Sequence, residues 1–329
     1  MKFFHLPMKQ TLKQIIPPPL WQFTRDAYDS FRRLPDLPAA YFHPWRRESS
    51  RRLPALKDVH KGKRAFIIVN GHSLKGTDTS KLKNEITFGM NRIYLAFPEW
   101  GFTTSYLCVT NDLVVEQFVD DISALTIPKF IAWRSHRHFK AQFSNSPILR
   151  PLNNAQNKPP VTSLQSPISN SLISNSPISS LPTFIYTTYT GPRFATDVRG
   201  RVWEGATVTN LALQMAFHMG IEKAILIGVD HNFADKGEAN KTVVSQGDDP
   251  NHFMPNYFGK GVKWQLPDLD TSEIGYALAR EAYQRAGREV VDATVGGAGA
   301  VLRPENGLHR RPRIRATLEL QSFAGEVRY

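Results

Sequence analysis

Short apolar runs that stop at small polar residues recur through the middle of this chain. The first, Ala65-Phe66-Ile67-Ile68-Val69, stops at Asn70-Gly71-His72-Ser73-Leu74. An uncharged run of that length, rich in β-branched residues and closed by a turn signal, predicts a buried parallel strand entering a tight turn. Further strands are expected at 86–90, ending on Asn91, at 105–110, ending on Asn111, and at 129–133. Short helices near 93–97 and through 113–119 fill the gaps. Residues 184–189 read as another strand, and 207–219 as the clearest helix, with Val208, Leu211, Ala212, Met215 and Met219 on one face and Gly220 as its stop. A second uncharged strand at 224–229 delivers Asp230 to its carboxyl end. After a long loop over 234–270 come a helix at 272–286, with Ile274, Ala277, Leu278 and Ala282 inward, and a last strand at 290–295. Alternation at this spacing predicts right-handed βαβ units. The class is α/β, a Rossmann-like, mostly parallel sheet with helices on both faces.

Two kinds of segment break the rhythm. Residues 144–182 are rich in Ser, Asn and Pro and repeat with a period of five, as in Ser166-Pro167-Ile168-Ser169-Asn170 followed by Ser171-Leu172-Ile173-Ser174-Asn175. Regular prolines oppose both helix and strand, so this segment reads as a disordered low-complexity insertion. At the start, Leu20, Phe23, Ala27 and Phe31 share one helical face while Arg25, Arg32 and Arg33 lie elsewhere. Such a helix either packs on its own domain or rests on an anionic membrane surface. Residues 35–63, rich in Pro and Arg, read as a linker or extended arm. The expected organisation is a basic amphipathic arm over 1–61, a Rossmann-like domain over 62–143 and 183–300, the insertion at 144–182, and a basic tail over 301–329.

Charge sharpens this division. The net charge is +12 over 329 residues, yet residues 1–64 hold 14 Lys and Arg against 5 Asp and Glu, and residues 303–329 hold 6 against 3. The central stretch is therefore neutral. Attraction to anionic surfaces belongs to the ends, and nucleic-acid binding by the domain is not expected. The hydrophobic fraction, 41%, suffices for a sizeable core. No apolar run approaches a membrane span, and the first residues are too soon interrupted for a signal peptide. The single cysteine, Cys108, lies inside an apolar run and excludes a disulfide framework within the chain. A cytoplasmic protein is expected, with contact at the inner face of the membrane as the arm's contribution.

The candidate chemistry lies at the strand ends. In a parallel sheet Asn70, Asn91 and Asn111 share one edge, where their amides can read a base, a ribose or a phosphate without adding charge. The competing reading makes each a helix cap. Gly71 and Ser73 belong to a turn whose N–H groups suit a phosphate, although Gly71 also fits the role of supplying a positive φ. Asp230, a strand-end carboxylate, is a candidate for a ribose hydroxyl or a metal ion, with Asp248-Asp249 assisting. Arg201, with Arg193 and Arg199 in the same loop, precedes the helix that begins near Gly205 and Thr207, a combination suited to a diphosphate. His252 lies in the long loop among Phe253, Tyr257 and Phe258, which makes it the best-placed general base. His136 and His138, in a run with Arg134, Arg137 and Lys140, read as solvated.

Several blocks carry a resemblance. Residues 66–74, then Gly89-Met90-Asn91-Arg92, Glu204-Gly205-Ala206-Thr207-Val208, Ile227-Gly228-Val229-Asp230 and above all the block from Asn251 to Gly261 resemble the MptE-like 6-hydroxymethylpterin diphosphokinase domain family. The resemblance covers roughly residues 62–300. It implies transfer of diphosphate from ATP to a 6-hydroxymethyl-dihydropterin with Mg2+. The first block is also similar to the Asn-Gly-Pro-Ser-Leu turn of family-42 bacterial sialyltransferases. That likeness implies a nucleotide-sugar donor and a glycan acceptor in surface-glycan synthesis, with Asn70, Gly71, Ser73, Asn91 and Asn111 at the donor nucleotide and Arg201 on a basic position near it. A third reading is non-catalytic, an assembly protein at a membrane surface.

Overall fold

In the computed structural model, residues 18–143, 181–230, 237–247 and 249–295 are described. The insertion, apart from its last two residues, and the basic tail lie outside them. Eleven strands run in chain order: β1 Arg64–Ile68, β2 Thr87–Met90, β3 Tyr106–Val109, β4 Lys129–Ala132, β5 Thr183–Ile185, β6 Thr187–Thr188, β7 Val202–Trp203, β8 Lys223–Ile227, β9 Thr242–Val244, β10 Lys263–Gln265 and β11 Glu289–Asp292. The helices are α1 Pro18–Arg33, α2 Leu37–Phe42, α3 Pro44–Arg52, α4 Phe97–Trp100, α5 Asp112–Ala124, α6 Lys140–Phe143, α7 Val208–His218 and α8 Leu269–Arg285.

Seven strands form one sheet in the order β11-β8-β1-β2-β3-β4-β5, and every adjacent pair is parallel. Both faces are covered, which is why the strands are apolar without alternation. On one face Ile67, Phe88, Tyr106 and Phe130 pack with residues of α7 and α8, among them Leu211, Met215, Tyr276 and Tyr283. On the other, Phe66, Ile68, Leu107, Val109 and Ile131 pack against Leu74, Ile93, Val114, Tyr257 and Trp264. The chain leaves β1 in one direction through β2 to β5, then crosses to β8 on the opposite side and moves outward to β11. With right-handed crossovers, that reversal puts α7 and α8 on the opposite face from α5. It also makes the carboxyl ends of β1 and β8 the topological switch point, the place where open α/β sheets bind ligands.

Several expectations need correction. The stretch expected as a linker over 35–63 is largely helical, and Leu53 and Leu56 enter the core. Helix α7 is buried all round, because α8 and residues 53–60 and 194–203 cover its outer side. Several of its polar groups find partners there: Gln214 Nε2 donates to the Trp203 carbonyl at 2.9 Å, Gln214 Oε1 accepts from Ala195 N–H at 2.8 Å, and His218 Nε2 meets the Leu53 carbonyl at 3.0 Å, while Asn210 Oδ1 and His218 Nδ1 are buried without a hydrogen-bond partner among the described residues. Helix α8 turns Gly275, Tyr276, Ala279 and Tyr283 inward and leaves Ile274 exposed. Gly275 lies against Asn210 of α7, at a distance where a Cβ would make ordinary contact. The strand expected at 184–189 divides at Tyr186, β5 joining the main sheet and β6 pairing with β7. The long loop contains the antiparallel hairpin of β9 and β10. Cys108 is buried as expected. No helix among the described residues is long and apolar enough to cross a membrane.

Candidate functional site

The turn after β1 is locked to the end of β8. Gly71 N–H donates to the Gly228 carbonyl at 3.0 Å, and Ser73 N–H donates to Asp230 Oδ2 at 2.8 Å. Gly71 has φ −68° and ψ 160°, an ordinary extended conformation, so the positive φ expected of it is absent. Glycine is needed there for closeness: a Cβ would lie 2.4 Å from Asp230 Oδ2 and 2.5 Å from the Gly228 oxygen. Gly228, at φ +73°, is the residue with the left-handed backbone. Asp230 is thus first a brace for the turn.

The loop before β10 folds back over this turn. Gly71 and His252 form an antiparallel bridge, and Phe253 N–H donates to the Asn70 carbonyl at 3.1 Å. The His252 ring stacks on Tyr257 with centroids 4.1 Å apart and planes 4° from parallel. Its Nδ1 lies 2.8 and 2.9 Å from the two oxygens of Asp249, which also accept the N–H groups of Asn251 at 3.0 Å and Phe258 at 3.2 Å. An ionised carboxylate only accepts, so the proton on Nδ1 is fixed and Nε2 is the basic nitrogen. That nitrogen has no partner among the described residues. The Tyr257 hydroxyl accepts from Asn70 Nδ2 at 2.7 Å and from Arg92 N–H at 3.4 Å, and burial raises its phenol well above the usual range.

The asparagines do end three adjacent strands, but they differ in what they do. Asn70 is a buried cross-link, its Nδ2 donating to the Met90 carbonyl at 3.0 Å as well as to Tyr257, while its Oδ1 has no partner among the described residues. Asn91 adopts φ +47°, is half-buried, and also carries a partnerless Oδ1. Asn111 caps α5, its Oδ1 accepting Leu113 N–H at 3.0 Å. Ser73 Oγ is likewise buried and without a partner among the described residues. Buried polar atoms ordinarily have partners, and three oxygens near the ends of β1 and β2 lack one among the described residues, as do others elsewhere, such as Thr183 Oγ1 and His218 Nδ1.

Gly205, at φ +58°, packs against Asn210 and Trp203. Thr207 caps α7, accepting Thr209 N–H at 3.3 Å, and Thr209 Oγ1 lies 3.5 Å from Met90 Sδ. The amino end of α7 is therefore brought to the end of β2. Arg201 is not brought there. It is exposed beside Tyr186, grouped with Arg33 and Arg46, just past β5. Four strand spacings, about 19 Å, separate that flank from β1.

The pattern missed a buried ion pair on the same rim. Arg134, just past β4, forms two bonds to Glu204, Nη1 to Oε1 at 2.7 Å and Nη2 to Oε2 at 2.8 Å, and donates to the Thr110 carbonyl at the end of β3 at 2.6 Å. Its guanidinium lies 4.6 Å from the Tyr189 ring centroid. Burial pushes the Glu204 carboxyl up, against the pull of Arg134. The run 134–140 is thus not simply solvated. His136 stacks on Trp133 at 3.8 Å, and Asp112 gathers Ser135, Arg137 and His138. The available signal was Glu204 beside Gly205, a carboxylate in an otherwise apolar stretch. Its partner, 70 residues away, was hidden among other cations.

For Mg2+ the described residues supply a poor donor set. Among the described residues no three His, Cys, Asp or Glu converge, and the carboxylates near the switch point are engaged, Asp230 by Ser73 N–H and Asp249 by His252, Asn251 and Phe258. His231 and Asp248 lie outside the described residues.

Fold and rim together define a Rossmann-like α/β protein whose turn after β1 and long loop meet at the topological switch point. No protein-family model matches the chain, and no curated protein matches it. Among solved structures it is similar to the MAf glycosyltransferase from Magnetospirillum magneticum AMB-1, with a TM-score of 0.35 and 12% identity over 84% of this chain. The chain spans 41% of that protein's length, and a likeness this distant carries no argument about activity. The motif resemblances to MptE-like and sialyltransferase families rest on their residues alone.

Proposed function

We propose that the protein is a nucleotide-dependent transferase that moves a glycosyl group from a nucleotide sugar to an acceptor hydroxyl. The observation that carries this reading is the His252 and Asp249 pair, bridged to Gly71 at the switch point beside the partnerless oxygens of Asn70, Ser73 and Asn91. In this scheme His252 Nε2 takes the proton of the acceptor hydroxyl as its oxygen attacks the anomeric carbon. The bond to the donor phosphate breaks, and the nucleotide leaves with the electron pair. Asp249 holds the tautomer and stabilises the imidazolium that forms. Asn91 and Ser73 would bind ribose or phosphate oxygens, while Asn70, through Tyr257, positions the histidine. Asn111, Gly205 and Thr207 shape the rim rather than grip the ligand.

Diphosphate transfer from ATP to a hydroxymethylpterin, the reading implied by the MptE-like motifs, asks more of the site. A triphosphate carries more charge than a nucleotide sugar, and its transfer with Mg2+ calls for carboxylates and free cations. At the rim Arg92 is spent on the Tyr257 carbonyl and the Phe118 ring, and Arg134 on Glu204. A rim whose cations are already engaged favours the less charged donor.

The test is a thermal-shift panel of ATP, CTP, CMP, UDP and GDP with and without Mg2+, followed by slow hydrolysis of the matching nucleotide sugar without acceptor. Stabilisation by a nucleoside mono- or diphosphate and hydrolysis that His252→Gln abolishes support glycosyl transfer. Mg2+-dependent AMP release from ATP with a hydroxymethylpterin acceptor overturns it in favour of the diphosphokinase. No nucleotide response at all sinks both.

A further inference from the structure

Helix α1 is amphipathic in the opposite sense from a helix that packs on a core. Leu20, Phe23, Ala27, Phe31 and, in the next turn, Leu34 recur at steps of three and four and so share a face. All five are exposed, Phe23 at 70% and Phe31 at 71%. The side turned to the domain is the polar one: Arg33 places its guanidinium 5.5 Å from the Tyr189 ring centroid, and the Asp26 carboxylate lies against Gly191. The expectation that this helix packs its apolar face on its own domain is therefore wrong. The patch continues into α2 through Tyr41 at 60% and Phe42 at 76% exposed. Its edge is cationic. Arg32 is exposed over the Tyr28 ring, and exposed Arg201 sits beside Tyr186, whose ring is 5.7 Å from that of Tyr41.

We infer that α1 and α2 form an interfacial docking surface for an anionic lipid bilayer. An exposed stripe of Phe and Leu bordered by Tyr and Arg matches the layering of a membrane interface, where rings and aliphatic chains enter the acyl boundary and guanidinium groups meet headgroup phosphates. The charge placement argues for lipid over another occupant. Residues 18–42 balance three Arg against three Asp, so the positive character comes from exposed Arg32 and Arg201 at the edge and from α3, whose addition brings residues 18–52 to seven Arg against four Asp and Glu. Arg201, distant from the switch point, is one of the cations at this edge. Through Arg33, Tyr189 and Arg134 the docked helix is tied to the rim at β3 and β4, on the flank of the sheet away from β1 and β8. This inference does not depend on which transfer reaction occurs there.

The full chain is sedimented with phosphatidylcholine vesicles, with and without phosphatidylserine, at low and high salt, beside a light-scattering mass measurement in the absence of lipid. Binding is expected only with phosphatidylserine and weakens as salt rises. The variant Phe23→Ser with Phe31→Ser should lose binding by about a hundredfold while its melting temperature is unchanged, since both rings are already exposed. Arg32→Glu should weaken binding and its salt dependence together. Equal binding by the serine variant, or none to anionic vesicles by the parent, overturns the inference. A dimer in solution that the serine variant converts to monomer overturns it as well, assigning the face to a second copy.

Discussion

Replacing Gly71 by alanine tests how the switch point is built. At φ −68° and ψ 160° alanine fits as well as glycine, so no dihedral strain enters. The methyl group would lie 2.4 Å from Asp230 Oδ2 and 2.5 Å from the Gly228 oxygen. Ordinary contact needs about 3.5 Å, so the turn must retreat by about 1 Å. That movement pulls on the bond from Gly71 N–H to Gly228, 3.0 Å, on the bond from Phe253 N–H to Asn70, 3.1 Å, and on the bond from Ser73 N–H to Asp230, 2.8 Å. Overpacking costs about 1–3 kcal/mol, and weakening a bond to a carboxylate adds about 1–2 kcal/mol. The sum, about 2–5 kcal/mol, should lower the midpoint of urea unfolding by roughly 1 M or more. Asp230→Ala loses the carboxylate bond but clears the nearer obstacle. The double variant should therefore cost less than the sum of the two singles by at least about 0.5 kcal/mol. A loss below about 0.5 kcal/mol in Gly71→Ala, or strict additivity in the pair, would refute the close-approach argument.

Other expectations follow from the same contacts. Asp249→Asn leaves one oxygen facing three N–H donors and favours the wrong imidazole tautomer, so donor hydrolysis should fall roughly a hundredfold or more in kcat with little change in KM; an unchanged kcat would remove His252 from the chemistry. Arg134→Met strands the buried Glu204 carboxylate and should cost about 3–5 kcal/mol in chemical denaturation, and adding Glu204→Leu should restore most of it. Burial holds the Lys129 ammonium at about 8, below its ordinary 10.5, so between those values only the unfolded chain keeps the proton. Stability should accordingly be flat below pH 8 and rise from there to about 10.5, and Lys129→Met should abolish the rise while adding up to about 3 kcal/mol at pH 7. Tyr257→Phe removes the acceptor for Asn70 and Arg92 and should cost about 1–3 kcal/mol by thermal unfolding, with parallel loss of any nucleotide-induced shift.

Much of this protein can be read from the chain alone, because its strands are buried on both faces. Uncharged runs such as Phe66-Ile67-Ile68 and Ile225-Leu226-Ile227 bury the same way whatever surrounds them, and the turn residues at Asn70-Gly71 and Gly228 break them at the right place. Local pattern also placed His252 in the long loop, and residue type named Asn111 as a possible cap. Tertiary structure decided the rest, since it depends on which elements meet. Asp249 becomes a partner for His252 only when the loop folds onto Gly71. Asn70 becomes a cross-link only when Tyr257 arrives from 187 residues away. Arg134 becomes a buried ion only because Glu204 crosses to the same rim, and Arg201 is carried to the far flank by the pairing of β6 with β7. Periodicity along α1 revealed an apolar face but carried no information on which way it turns. That orientation is set by Arg33 and Asp26 docking the polar side, a contact between segments more than 150 residues apart.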